Sequence, residues 1–322
     1  MYPLKFKKVF KEKIWGGNKF KTLLNMEIPE DINIGESWEV TCHKNGMSVV
    51  ENGEFSGKTL EELIDSYKDK LLGEEVYKTY GNKFPLLIKY LDVNDRLSVQ
   101  VHPSDEYALR VEGEFGKSES WYIIDASEDA KLIMGLATGM SKEKFLEKVK
   151  NNDFDDLFNI ISVKKGDFIY VEPGVVHASL EGSVVICETQ QNSDTTYRIY
   201  DFDRIVDGEK RELHIDKAAE VIEFNKNPFI SREDERKIIQ NQNIKIQNLT
   251  RNEYFNIDKI NISGTYKDTV YKNFVILSIL DGEGKINFNN NEYKLEKGDT
   301  YFIPANLEVE FEGELEILKS FL

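Results

Sequence analysis

The feature that most constrains this chain is a unit written twice. Lys164 to His177 reads KKGDFIYVEPGVVH, and Glu296 to Val309 reads EKGDTYFIPANLEV. Each copy has a KGD turn, an apolar run suited to a buried strand, and a proline that closes the run. Gly166 to His177 is an interval of eleven residues, as is Gly298 to Val309. Repetition of this kind points to two related β-barrel units and against a single doubly wound sheet. Where the first copy ends in histidine the second ends in valine, so the second unit is expected to lack the polar centre of the first.

Short strand-like runs bounded by Gly, Asn and Asp fall at 37–41, 47–50, 84–91, 97–101, 121–124, 131–134, 167–171 and 183–189. That rhythm belongs to a sandwich or barrel. Two stretches break it with a helical period. In 59–81, Leu60, Leu63, Ile64, Tyr67, Leu71 and Leu72 recur at three- and four-residue steps; in 141–153, Ser141 stands as an N-cap before Lys142 and Glu143. The expected fold is mainly β, with helical insertions in the first unit near 59–81 and 141–153. The first unit should span 1–230 and the second 231–322, joined through the polar stretch 231–247.

Lys and Arg number 42 against 58 Asp and Glu, a net charge of −16. This opposes attraction to nucleic-acid backbones and anionic membrane surfaces, and neither is expected as a partner. A small anion is not excluded, because a few Lys and Arg converging in one cleft set the local field. No signal peptide and no apolar span of about 18 residues is legible, so a cytoplasmic location is expected. The two cysteines, Cys42 and Cys187, are too far apart for a CxxC motif, and each is expected to be a buried, inert thiol.

The chemistry gathers around LSVQVHPSDEY, residues 97–107. Residues two apart on a strand share a face, so Gln100 and His102 project together while Val99 and Val101 point the other way. Glu119, opening the run ESWYII, and His177, after the EPG turn, are the candidate partners. Two imidazoles, a carboxylate and an amide oxygen suit Zn²⁺ or another first-row divalent ion with a position left open for substrate; no thiolate cluster suggests a structural zinc. Of four histidines, His43 and His214 lack such a framework and are left structural.

These residues resemble the cupin superfamily, whose second motif sets a glycine, a proline, a glycine and a histidine at fixed intervals. Gly166, Gly174 and His177 match it, while Glu172 occupies the proline position and Pro173 follows, so a turn shifted by one residue is expected. Within the cupins the chain is similar to the type I phosphomannose isomerase family in its short bacterial form. The likeness runs through WGG at 15–17, GESWEV at 35–40, SVQVHPSDEYA at 98–108, GKSESWYI at 116–123 and ETQQNSDTTYRIYDFDR at 188–204. The resemblance implies two jelly-roll units, one zinc per chain on Gln100, His102, Glu119 and His177, and interconversion of mannose 6-phosphate and fructose 6-phosphate through a cis-enediol. It also implies an essential arginine at Arg198, and puts Arg204 where longer members carry a lysine.

An aldose–ketose isomerisation needs a base that carries a proton between C1 and C2, and positive charge for the oxygens. Glu188 and Lys117 are the candidates for proton transfer. Val184, Ile186 and Glu188 alternate onto one face, otherwise apolar. Lys117 lies two residues before Glu119 and should turn to the same side, where a bound cation would lower its pKa. Arg198 would anchor the phosphate by its planar fork, with Arg204 and Lys89 as further substrate-binding candidates. The plainer alternatives are a solvated loop lysine for Lys117 and a snorkelling edge lysine for Lys89. Two other functions compete: a cupin dioxygenase, which would gather more histidines around its metal, and a non-catalytic sugar-phosphate sensor, which would not need every ligand. The sequence leaves the assembly open, with a homodimer as one arrangement.

Overall fold

The protein's structure, a computed structural model, describes residues 1–30, 32–206, 208–226 and 228–322. Strands dominate, as expected, and three antiparallel sheets carry the fold. A seven-stranded sheet runs in the order Phe229–Ser231, Phe168–Val171, Glu119–Ala126, Val184–Gln191, Leu86–Val93, Ile34–Val40, Val9–Glu12. Facing it, a five-stranded sheet runs Phe158–Ser162, Lys131–Leu136, His177–Glu181, Val99–Val101, Tyr197–Tyr200. Alternation along these strands sends Leu91, Trp121, Ile123, Met134, Ile169 and Ile186 into one interior between the two sheets. The sheets face each other without closing into one hydrogen-bonded barrel.

The second unit is an eight-stranded sheet whose longest members are Asn256–Lys267, Val275–Phe288 and Glu310–Phe321. It takes in Leu4–Lys5, which pairs with Thr300–Ile303 through Leu4 opposite Phe302. Its own interior collects Val275, Leu277, Tyr301, Val309, Phe311 and Ile317. Between the units lies a shared core: Tyr90, Tyr122, Val185 and Cys187 from the outer face of the seven-stranded sheet pack with Ile276, Phe302 and Leu318.

The repeated sequence is a repeated structure. The amide of Gly166 donates to Ile123 O at 2.8 Å, and that of Gly298 to Ile279 O at 2.9 Å. Asp167 accepts from the Lys164 amide as Asp299 accepts from that of Glu296. Both glycines sit in the left-handed region, at φ 88 and 86. Eight residues beyond each, Gly174 and Asn306 are left-handed as well, so the proline is displaced between copies and the turn is not. The pairing then matches position by position: Glu119 faces Val171 in the first unit where Val275 faces Ile303 in the second. The apolar substitution of the metal positions thus extends to Val275 and Val309, yet the second interior is not stripped of charge. Lys319, 2% exposed, pairs there with Asp268 at 3.1 Å and with the Tyr271 hydroxyl.

The expected helix at 59–81 is three: Leu60–Tyr67, Asp69–Leu72 and Glu74–Tyr80. Lys68 at φ 48 and Gly73 at φ 96 break it. Its apolar face is as read, with Leu60, Leu63, Ile64, Leu71 and Leu72 buried in the shared core. A capping box at Thr59 and Glu62 starts the first piece. The second insertion is the helix Lys142–Lys150, with Ser141 accepting from the Lys144 amide. Three helices were not legible in advance, Lys19–Thr22, Asp105–Val111 and Ile215–Val221; the run HPSDE, with Ser before two acidic residues, was the available signal for the second. The strand expected at 47–50 is only the short ribbon of Cys42–His43 with Gly46–Met47 and isolated bridges beyond it. Cys187 is buried as expected, but Cys42 is half-buried; burial pushes both thiols up to about 12.

Candidate metal centre and active cavity

Strand pairing assembles the centre. His177 lies opposite Gln100 on the neighbouring strand, and Glu119, on the facing sheet, sits opposite Gln190 beside Glu188. His102 Nε2 stands 3.3 Å from Glu119 Oε2, and His177 Nε2 stands 3.1 Å from Oε1. The amide N–H of Gln100 reaches His177 Nε2 at 3.2 Å. The structure therefore brings together all four residues expected as ligands, with Val99 and Val101 turned to the other side, into the core under the helices.

The two imidazoles are oriented from behind. His102 Nδ1–H donates to Thr195 O at 2.9 Å and His177 Nδ1–H to Val175 O at 3.0 Å, which leaves a lone pair on each Nε2. Both lone pairs face carboxylate oxygens; His102 Nε2 and Glu119 Oε1 are buried without a hydrogen-bond partner among the described residues, and Oε2 has the Lys117 ammonium beside it at 3.2 Å. Acceptors set against acceptors are unfavourable unless a cation lies among them. Burial and the ammonium of Lys117 hold His102 down at about 3, so it is neutral and free to ligate. Burial pushes the Glu119 carboxyl up, but the ammonium of Lys117 outweighs it and holds the group well below the usual range. Metal bonds of about 2.0–2.2 Å place the ligand atoms of one ion roughly 3 to 3.5 Å apart, which is the spacing seen. A metal fits this site. The amide of Gln100 offers its oxygen at the same place after a half-turn.

Beside the centre opens a cavity of about 320 Å³ that takes in Gln100, Lys117, Glu188, Lys89 and Arg198. Lys117 is 5% exposed, with Nζ 3.2 Å from Glu119 Oε2, so it is no solvated loop lysine. Lys89 stands on an inner strand of its sheet, where a snorkelling edge lysine has no place, with Nζ 3.3 Å from Glu188 Oε2. The indole N–H of Trp121 donates to the other oxygen, Glu188 Oε1, at 2.9 Å. Burial raises the Glu188 carboxyl above its ordinary value, with Glu119 adding to the shift and Lys89 opposing it. Lys89 is burdened by burial too, but Glu188 and Glu36 keep it charged.

Arg198 lies opposite Gln100 in strand register, and its buried Nε has no partner. Arg204 does not reach the cavity: it bonds Asp201 Oδ1 at 2.5 Å and the Arg96 carbonyl. His43 pairs with Glu114 at 3.4 Å, and His214 accepts the Arg198 amide at 3.2 Å; both lie outside the centre. Sequence reasoning missed several lining residues, among them Trp15, Glu36, Trp121, Asp194 and Arg211. GESWEV held a signal for Glu36, whose side chain shares a face with Trp38 two residues on, but nothing local marked Arg211.

A two-unit cupin with a buried nitrogen-and-oxygen metal centre beside a polar cavity is the class these features define. Comparison with known proteins narrows it. The family profile of the phosphomannose isomerase type I catalytic domain matches residues 3–125, and that of the mannose-6-phosphate isomerase cupin domain matches 245–322. A Bacillus subtilis (strain 168) protein described as "Probable mannose-6-phosphate isomerase GmuF" is 41% identical over 323 residues, 99% of each chain. The mannose-6-phosphate isomerase of Streptococcus mutans is 40% identical over 99% of this chain and 98% of its own. The crystal structure of mannose 6-phosphate isomerase from Bacillus subtilis superposes with a TM-score of 0.91 at 36% identity, covering 100% of both chains. The chain belongs to the type I phosphomannose isomerase family.

Proposed function

We propose that the chain interconverts mannose 6-phosphate and fructose 6-phosphate, with one zinc ion held by Gln100, His102, Glu119 and His177. The observation that carries the reading is the buried, mutually opposed lone pairs of His102, His177 and Glu119 at the edge of a cavity that also holds Glu188, Lys117 and Arg198. Nitrogen and oxygen donors without thiolate suit zinc. When bound, the ion supplies Lewis-acid stabilisation of charge on the sugar oxygens.

Glu188 is the group assigned to proton transfer. Lys89 and Trp121 each hold one of its oxygens, which fixes the carboxylate over the cavity. It takes the proton from C2 of the aldose and returns it to C1 through the cis-enediol, and its raised pKa brings it closer to working pH. The hydroxyl proton that must pass between the two oxygens is assigned to Lys117, whose ammonium, 3.2 Å from Glu119, also opposes negative charge on the enediol. Arg198 anchors the phosphate, one strand away from Gln100, so that a non-reacting group holds C1 and C2 at the centre. Lys89 acts through Glu188, and Arg204 through Asp201. Neither a dioxygenase nor a sensor accounts for this set, since only two histidines surround the centre and the acid, base and anion anchors are all present.

We assign this chemistry to the unit 1–230 and treat 231–322 as the second unit; the boundary falls within the strand Phe229–Ser231, which pairs with Phe168–Tyr170. Among the described residues no helix is long and apolar enough to cross a membrane. A cytoplasmic location and a homodimer complete the proposal; exposed Ile238 and Ile239 on the edge strand Ile238–Gln240 are the candidate contact, and sedimentation reads the assembly. Incubation with fructose 6-phosphate tests the activity: mannose 6-phosphate should appear, vanish with a chelator and return with zinc. Protein that holds zinc and leaves both sugar phosphates untouched would refute the reading.

A further inference from the structure

We propose that Arg211 is a second guanidinium anchor for the phosphate of the substrate, completing the anion site that Arg198 begins. The inference rests on the sugar-phosphate reading above and names a residue that neither the repeat nor the motifs pointed to. Arg211 lines the same cavity as Arg198. Its Nε donates to Asp201 Oδ2 at 2.8 Å and its Nη2 to Oδ1 at 2.5 Å. This side-on clamp commits two nitrogens and leaves Nη1 uncommitted among the described residues. A fork fixed in this way loses little further side-chain freedom when it binds an oxyanion.

Charge supports the same assignment. Asp201 is one carboxylate serving two guanidiniums, since Arg204 bonds Oδ1 from the other side at 2.5 Å. Among the described residues the Arg198 side chain bonds only the Glu212 carbonyl, through Nη1 at 2.8 Å, and its buried Nε has no partner. Burial and the nearby Arg211 and Arg204 disfavour the charge on Arg198, the mark of cations crowded without enough counter-charge. Three guanidiniums share the buried Asp201, while the other nearby carboxylates, Asp95 at 3.8 Å from Arg204 and the exposed Glu212, lie toward solvent, which leaves this end of the cavity positive in a chain whose net charge is −16. At the other end Glu119, Glu188 and Glu36 are each paired with a lysine, Lys117, Lys89 and Lys13, so the cations there are already committed. A phosphate dianion therefore fits the guanidinium end, with free donors on two arginines to receive it. Arg204 is then a positioning residue: it holds Asp201, and Asp201 aims Arg211.

The test is steady-state kinetics of the zinc-loaded full chain, with inorganic phosphate as a competitive probe. Arg211→Ala should raise KM for mannose 6-phosphate and Ki for inorganic phosphate about tenfold or more, with kcat within about threefold and metal content unchanged. Arg211→Lys should recover part of both losses, because the charge returns without the fork. If Arg211→Ala does not fold, Arg211→Gln keeps an N–H donor toward Asp201 and should show the same rise. Wild-type protein that turns over normally beside variants with unchanged KM and Ki would overturn the assignment. Wild-type protein inactive on mannose 6-phosphate would instead refute the function. The anion site is then read alone: inorganic phosphate should raise the Tm of the wild type and not that of Arg211→Ala, and equal shifts would overturn it.

Discussion

At the scale of single residues the centre depends on groups that oppose one another until a cation joins them. His102→Ala and Glu119→Gln should each lose the metal, read by metal analysis after gel filtration; either variant retaining a full equivalent would contradict the ligand set. Arg198→Ala should keep its metal and lose roughly 2 to 5 kcal/mol in kcat/KM, the range for breaking a buried charge contact. Glu188→Gln should lower kcat by about 10²- to 10⁴-fold. Its pH behaviour follows from the direction of its shift. The base works ionised, and burial raises its pKa above the ordinary 4.5, so kcat/KM should fall as pH drops through that raised value. An acid limb at or below the ordinary value would remove Glu188 from the role. Glu36 has the opposite sign. Burial pushes it up, but Lys89 and Lys13 hold it at about 2 against an ordinary 4.5, so it stabilises the fold above that ordinary value and the contribution is lost as pH falls toward 2. The amount is on the order of 3 kcal/mol, and Glu36→Gln should flatten the acid side of the stability curve accordingly.

Elements show how local chemistry places those residues. The KGD turn works because glycine takes a left-handed conformation at no steric cost and the aspartate receives an amide across the turn. At Gly298 an added Cβ would come within 2.4 Å of the Leu24 carbonyl oxygen. Gly298→Ala should therefore cost about 1 to 3 kcal/mol in a thermal melt, and a neutral result would mean that the turn relaxes. That turn was readable because it appears twice. The break at Lys68 was not, because lysine carries no stop signal and the chain turns there so that Leu71 and Leu72 can reach the second unit, where their carbonyls accept from Ala305 and Phe274. Tertiary contact overrode the helical period at that point.

Across the whole molecule the two units share a core and exchange chain. Leu4–Lys5 pairs with Thr300–Ile303, and Thr189 on the catalytic sheet bonds Ser320 at 2.9 Å. Phe302, fully buried between Phe84 and Phe274, sits at the centre of this contact. Calorimetry should thus show one cooperative transition, and two separable transitions would contradict a joined core. A chain ending after residue 240 would expose Tyr90, Tyr122 and Val185 and should not stay soluble, although every expected metal ligand is present in it.

By itself the sequence determined what is periodic and local: the mainly β character, the two related units, the helical faces, and the pairing of Gln100 with His102 on one side of a strand. Strand geometry makes that inference safe, since the alternation of side chains needs no partner. Glu119, His177, Lys117, Glu188 and Arg198 could be named from motif and resemblance, because each stands in a block long enough to compare. What only the tertiary structure decided is which of those groups meet. The turning of Arg204 away from the cavity and the arrival of Arg211 depend on where the loop carrying Asp201 is held against the cavity, and the buried charge that survives at Lys319 depends on Asp268, 51 residues away, being brought beside it. No local pattern encodes the sum of charges such a meeting creates.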